Sequence, residues 1–311
     1  MNKMFHGTLL PVLIYYHADE SIDYKSTIRN VVYVLKYGLT WDNSCFIIGS
    51  VEGQRGALTL NERLKLMRII SKKVNRRVPI GISVQDHNVD NMLELSKTAA
   101  QIGLDFIQIS PPSYYYRSSF EDFDDIMKKI TNTTDIPILV HNTPWENVVD
   151  LSAKQIKILV DKYPQFVGLR WRTRRSVDDY LKVIDMYHKR LQIIDNQNMP
   201  VMTHLMGGVG YVSHFANIYP EIAVPLLDLL KQKNYVAAQQ HISKYNRLWN
   251  KFRLFMWRYG TLELSVVKAA LSTNGRQAES YVERLTTRYM NDKDKILLRQ
   301  ALTDIEANYL K

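Results

Sequence analysis

The chain has 311 residues, 46% hydrophobic and 23% charged, enough for one large core or two modest ones. No run approaches the roughly 18 apolar residues of a membrane helix, and the single cysteine, Cys45, excludes an intramolecular disulfide and any multi-cysteine metal site. The formal charge of +10 raises nucleic acid as a partner, but neither basic cluster, residues 72–77 or 170–175, comes with a nucleic-acid-binding motif, so a small acidic ligand in a reducing cytoplasm is the expectation.

The first apolar stretch, residues 8–14, contains Pro11 and lacks a small-residue cleavage site, which predicts a strand rather than a secretion signal. Further short, β-branched runs predict strands over 45–50, 78–84, 106–110, 137–141, 166–170, 191–195 and 209–213. Between them lie stretches of helical period, among them 24–37, 60–73, 89–102, 120–130 and 152–163, with Asp23, Thr59, Asp150 and Ser176 where N-caps belong. Eight strand–helix repeats imply a parallel sheet, and eight is the number that closes a (β/α)8 TIM barrel. A doubly wound open sheet is the competing architecture, but no glycine-rich dinucleotide turn supports it. Beyond about Asp228 the strand signal stops, and 235–257, 261–271, 278–290 and 294–310 have helical patterns. The expected division is therefore a barrel over 1–232 and a C-terminal helical extension over 233–311.

Several segments resemble one known family in order and spacing. Gly49-Ser50-Val51-Glu52-Gly53 is similar to a Gly-Thr-Thr-Gly-Glu loop, and Ser110-Pro111-Pro112-Ser113-Tyr114 to a strand running into Pro-Pro-Tyr-Tyr. Pro137-Ile138-Leu139-Val140-His141-Asn142-Thr143-Pro144 resembles Pro-Ile-x-x-Tyr-Asn-x-Pro, and Val167-Gly168-Leu169-Arg170 stands where the pattern has Val-Gly-Ile-Lys. Gly207-Gly208-Val209-Gly210-Tyr211-Val212-Ser213 and Val267-Lys268-Ala269-Ala270-Leu271 complete the match. The family is that of dihydrodipicolinate synthase and N-acetylneuraminate lyase. The resemblance implies a TIM barrel, a homo-oligomer (dimer or tetramer), no cofactor, and carbon–carbon lyase chemistry on 2-keto acids through a lysine Schiff base.

At the positions that carry that chemistry the chain departs from the pattern. The lysine position is Arg170, whose guanidinium stays protonated and cannot act as an amine nucleophile. The proton-shuttling tyrosine is His141, and the loop hydroxyls are Val51 and Glu52, or Ser50 if the loop carries a one-residue gap. Trp145-Glu146-Asn147 replaces the segment that would bring an arginine to the site mouth. None of the eight strands contains a lysine, and Lys268 belongs to the C-terminal helices.

Arg170 is then either a fork for a ligand carboxylate or enolate oxygen, or the structural partner of Glu52. His141 is either a general acid–base or a hydrogen-bonded spacer, and Tyr114, within the aromatic run 114–116, either a proton carrier or an interface aromatic. Ser50, Glu52, Asp195 and Val212 complete the expected substrate-binding set. Asp195 and His214, with Glu52 and His141, offer imidazole and carboxylate ligands, but they form no local motif, and no metal site is expected. The basic run 171–175 has the pattern of a solvated loop. Two functions fit: a divergent lyase that works on a small anionic acid without an imine, or an inactive family member that binds a small acid or regulates a partner.

Overall fold

The computed structural model describes residues 4–51, 53–113, 117–144, 149–258, 263–273, 284 and 291–309. The barrel strands are β1 (Gly7–Pro11), β2 (Ser44–Ile48), β3 (Ile80–Ser83), β4 (Phe106–Ile109), β5 (Ile138–His141), β6 (Phe166–Trp171), β7 (Gln192–Asp195) and β8 (Gly210–Val212). The helices that alternate with them are α1 (Tyr24–Lys36), α2 (Leu60–Val74), α3 (Val89–Gln101), α4 (Phe120–Thr131), α5 (Ala153–Lys162), α6 (Val177–Tyr187), α7 (Pro200–Leu205) and α8 (Pro220–Lys231). Every strand pairs in parallel with the next, and β1 pairs with β8 from Gly7↔Gly210 to Leu9↔Val212, so the sheet closes. The chain is a (β/α)8 barrel.

Strand alternation divides the core into two layers. Leu10, Phe46, Ile82, Ile107, Val140, Leu169 and Ile193 face the helices, where Leu66, Ile70, Leu95, Phe123, Leu159 and Ile184 meet them. Leu9, Cys45, Ile47, Phe106, Leu139 and Ile194 face the lumen. The N-terminal end of the lumen is plugged by Phe5, whose ring stands edge-on to Phe106 with centroids 4.7 Å apart. Its backbone N–H donates to Gln192 Oε1 at 2.8 Å, so the segment before β1 is tied into the plug. Two glycines make the room: a Cβ at Gly81 would lie 2.4 Å from the Phe106 ring, and one at Gly168 would lie 2.4 Å from the Phe5 ring.

Capping chemistry sets the helix starts. Thr59, Ser119 and Ser152 each close a capping box with Glu62, Asp122 and Gln155. The expected cap at Asp150 is therefore displaced to Ser152, because Gln155 stands three residues on and completes the reciprocal pair. Asp150 instead joins two loops at the barrel mouth, described below.

Three further helices follow, α9 (Tyr235–Arg258), α10 (Glu263–Thr273) and α11 (Asp292–Tyr309). They bury Tyr245, Trp249, Val266, Val267, Leu298, Leu302 and Ile305 against Leu13, Phe215, Tyr219 and Ile222. Phe215 stacks on Tyr245 with centroids 4.7 Å apart. Most of the helix expected over 278–290 lies outside the described residues. Within that stretch Arg284 is placed, and it grips Glu62 on α2 with two hydrogen bonds of 2.8 and 2.7 Å. No helix among the described residues is long and apolar enough to cross a membrane.

Candidate active site

The last lumen-facing residues of β5 and β6 are His141 and Arg170, which stand opposite each other in the strand register. Both are buried, at 1% and 3% exposure, so each must find hydrogen bonds within the barrel mouth. Asn196 supplies one to each. Arg170 donates from Nη2 to Asn196 Oδ1 at 3.3 Å, and Asn196 Nδ2 lies 3.2 Å from His141 Nε2. A guanidinium has only donors, so the amide must turn its oxygen to Arg170 and its NH2 to the imidazole. That orientation makes His141 Nε2 the acceptor and leaves the ring proton on Nδ1. The ends of strands five and six and the residue after strand seven are thus joined by one chain of hydrogen bonds across the top of the barrel.

Asn196 lies one residue past β7 and shares the lumen side with Ile194 and Gln192, two and four residues earlier. The period of two is the signal that reveals it, and Asp195, which ended the predicted strand, points the other way. Asp195 accepts from the Tyr180 hydroxyl at 2.8 Å and from the backbone N–H groups of Gln197 at 3.0 Å and Met199 at 3.1 Å. Burial pushes its carboxyl above the usual range, and these hydrogen bonds pull partly in the opposite direction. The Tyr180 phenol is pushed up as well, by burial and by the adjacent Asp195. Thr203 closes the network, 2.6 Å from the Tyr180 hydroxyl. Asp195 therefore fastens the loop that carries Asn196.

Residues 171–175 are only partly the solvated loop that their charge pattern suggests. Trp171 is the last residue of β6, stacked on Tyr180 with its indole N–H donating to the Tyr180 carbonyl at 3.1 Å. Arg174 and Arg175 are exposed, whereas Arg172 is half-buried at the mouth. Asp150 takes the Thr173 hydroxyl at 2.9 Å, the Arg174 N–H at 3.1 Å and the Asn142 amide at 2.8 Å, joining the loops after β5 and β6.

A cleft of about 130 Å³ opens where the ends of β7 and β8 meet α9; Arg172, Asn196, Asn198, Val212, His214 and Asn246 are among its lining residues. Asp195 borders it too. Ser50 is buried at the start of the loop after β2, where its carbonyl accepts from the Gly53 N–H at 3.1 Å. A larger cavity of about 570 Å³ lies between the loops after β2 and β3, beside Gln54, Arg55, Gln85, Asp86 and His87. Arg170, His141 and Asn196 do not line it, so the larger space is not the one nearest the polar chain. Of the other residues expected at the site, Glu52 and Tyr114 lie outside the described residues.

None of the eight strands carries a lysine. Lys268, on α10, is buried with its ammonium 5.0 Å from the Tyr15 ring and 5.4 Å from the Tyr16 ring, in the segment after β1. No group of three or more His, Cys, Asp or Glu among the described residues is arranged to hold a metal ion.

The model of the dihydrodipicolinate synthetase family matches residues 4–303. The 4-hydroxy-tetrahydrodipicolinate synthase of Chlorobaculum parvum is 24% identical over 307 residues, 98% of each chain. YagE of Escherichia coli is 25% identical over 285 residues, 90% of this chain and 91% of YagE. The crystal structure of YagE, a prophage protein solved in complex with pyruvate, superposes with a TM-score of 0.82 at 22% identity and covers 97% of this chain and 99% of that one. With a match that runs through the whole barrel and into the last helix, the chain belongs to the dihydrodipicolinate synthetase family.

Proposed function

We propose that the chain is a lyase-type enzyme that acts on a small carboxylic acid at the C-terminal mouth of the barrel without a lysine Schiff base, as a cytoplasmic homo-oligomer. The observation that carries this reading is the chain Arg170–Asn196–His141. A buried guanidinium and an imidazole of fixed tautomer occupy the strand ends where barrel enzymes keep their chemistry. In an aldol cleavage the electron pair of the breaking carbon–carbon bond moves to the carbonyl carbon's neighbour and generates an enolate. An iminium normally receives that charge; here the fixed positive charge of Arg170 stabilises the enolate oxygen. His141, as the neutral imidazole, is the residue suited to exchange a proton with the substrate. The pyruvate held by YagE is itself a 2-oxo acid, which accords with a carboxylate as the group recognised.

The test uses pyruvate as the probe. Arg170→Ala is expected to weaken pyruvate binding by about 2–4 kcal/mol, the scale of a buried charged hydrogen bond left unmade. Unchanged affinity by calorimetry retires the proposal. The binding-only reading has one observation in its favour, that the Asn196 amide already occupies His141 Nε2. It predicts thermal stabilisation by the ligand with no turnover, whereas the enzyme reading predicts turnover that His141→Ala abolishes.

A further inference from the structure

β4 reads Phe-Ile-Gln-Ile, with one polar residue in an otherwise apolar strand. Ile107 and Ile109 belong to the helix-facing core and Phe106 to the lumen, so alternation turns Gln108 inward. On β3 the same argument turns Ser83 inward, since Ile82 faces the helices and Gly81 lies against the Phe106 ring. Ser83 and Gln108 are partners in the strand register.

In a (β/α)8 barrel the pairing steps by one residue per strand, and lumen side chains from alternate strands form layers of four. Gln108 pairs with Leu139 and Leu139 with Gly168, and two residues beyond Gly168 is Arg170. The same step leads from Arg170 to Val212, then to Ile47, and back to Gln108. One layer therefore holds Ile47, Gln108, Arg170 and Val212. The layer above it, at the mouth, holds Pro11, Ser83, His141 and Asn196.

We infer that Gln108, with Ser83 beside it, is a substrate-binding residue, and that the ligand is a 2-oxo acid with a hydroxyl on the carbon next to its oxo group. The 2-oxo acid rests on the reading of Arg170 given above; the hydroxyl is the addition. Both residues are 1% exposed, and among the described residues neither Gln108 Oε1 nor Ser83 Oγ has a hydrogen-bond partner. Buried polar atoms of folded proteins are bonded with few exceptions, and two exceptions side by side at a barrel mouth mark the place of a ligand group. The backbone behind them is fixed. The Val84 N–H donates to the Gln108 carbonyl at 2.9 Å, and Arg63 Nη2 donates to the Ser83 carbonyl at 2.5 Å.

An amide oxygen only accepts, so the group it binds must donate. An ammonium would share a layer with the Arg170 guanidinium, and like charges in a water-poor mouth repel strongly. A hydroxyl carries no charge, donates to Gln108 Oε1 and accepts from the Ser83 hydroxyl. The four side chains of a layer meet around the barrel axis. A hydroxyl held by Gln108 is therefore a few bonds at most from an oxo group held by Arg170, which places it on the adjacent carbon.

The test compares 3-hydroxypyruvate with 2-oxobutyrate, which have equal numbers of heavy atoms and differ by a hydroxyl in place of a methyl. Without a partner for the hydroxyl, burial favours 2-oxobutyrate. The wild-type protein is instead expected to bind 3-hydroxypyruvate at least about tenfold more tightly by calorimetry. Gln108→Leu should abolish or reverse that preference while the melting temperature holds, because an unbonded buried acceptor gives way to an apolar group of similar size. Gln108→Met replaces it if the leucine variant fails to fold, and Ser83→Ala, on another strand, should reduce the preference. Arg170→Ala should weaken both acids alike. Equal affinity of the wild type for the two acids, a preference for 2-oxobutyrate, or no binding of 3-hydroxypyruvate overturns the role of Gln108. A preference that survives both Gln108→Leu and Ser83→Ala also overturns it, and leaves the two oxygens to an ordered water only. Loss of the preference in Gln108→Leu with no effect of Arg170→Ala supports Gln108 and sinks the earlier reading alone.

Discussion

The two ends of the barrel are built on opposite terms. At the N-terminal end the lumen holds two phenylalanine rings at van der Waals contact, with glycines cut to fit them and an amide from β7 latching the plug. At the C-terminal end β5 and β6 carry a histidine and an arginine, both hydrogen-bonded to the asparagine that follows β7. On β6 two residues of strand separate the two, from Gly168 against the Phe5 ring to Arg170. Close packing at one end supplies the rigidity on which buried polar groups at the other can be held to one geometry.

That contrast is sharpest if the two ends can be damaged independently. Phe106→Ala removes half of the plug and should cost about 3–5 kcal/mol of stability, read from denaturant midpoints. At temperatures where the variant stays folded its pyruvate affinity should be within about twofold of wild type. A smaller loss is expected at Asp195→Asn. The amide brings an NH2 among donors from Tyr180, Gln197 and Met199, so about 1–3 kcal/mol should go. Because the loop bearing Asn196 is released as well, ligand affinity should fall with it, which separates this variant from Phe106→Ala.

The smallest effect belongs to the strap between the C-terminal segment and α2. The Arg284 guanidinium, joined by the Thr59 N–H, holds the Glu62 carboxyl below its ordinary value despite partial burial. A carboxyl depressed in the folded state contributes fully above its unfolded pKa and progressively less as pH falls through the folded value. Arg284→Ala should therefore cost about 1 kcal/mol at neutral pH and close to nothing once the solution is well below the ordinary carboxylate range. Urea midpoints at neutral and acid pH measure it, and a deficit that persists undiminished in acid contradicts the assignment.

The barrel was legible because its strands are short, β-branched and separated by capped helices, a pattern that eight parallel strands satisfy in only one closed arrangement. Finer features followed from the pairing register. Predicting β7 to end at Asp195 drew notice to a carboxylate on the helix side and passed over Asn196 on the lumen side, since one residue reverses the face. The half-burial of Arg172 was hidden by its neighbours: a run of four arginines within six residues looks like solvent-exposed charge until Trp171 is seen to be core. Asp150 and Ser152 are both good caps by residue type, and only the reciprocal bond from Gln155 chooses between them. Arg170 and His141 drew notice because they stand in aligned motifs; the asparagine that joins them lies outside those motifs.

The most direct test of the account asks whether any lysine takes part. Pyruvate and borohydride are added to the wild-type protein, and the intact mass is measured. Without a lysine on any barrel strand, and with Lys268 packed against Tyr15 and Tyr16, the protein should return at its unmodified mass. A stoichiometric adduct that maps to a single lysine, Lys268 or another, would show that the chemistry runs through an imine and would contradict the role given to Arg170.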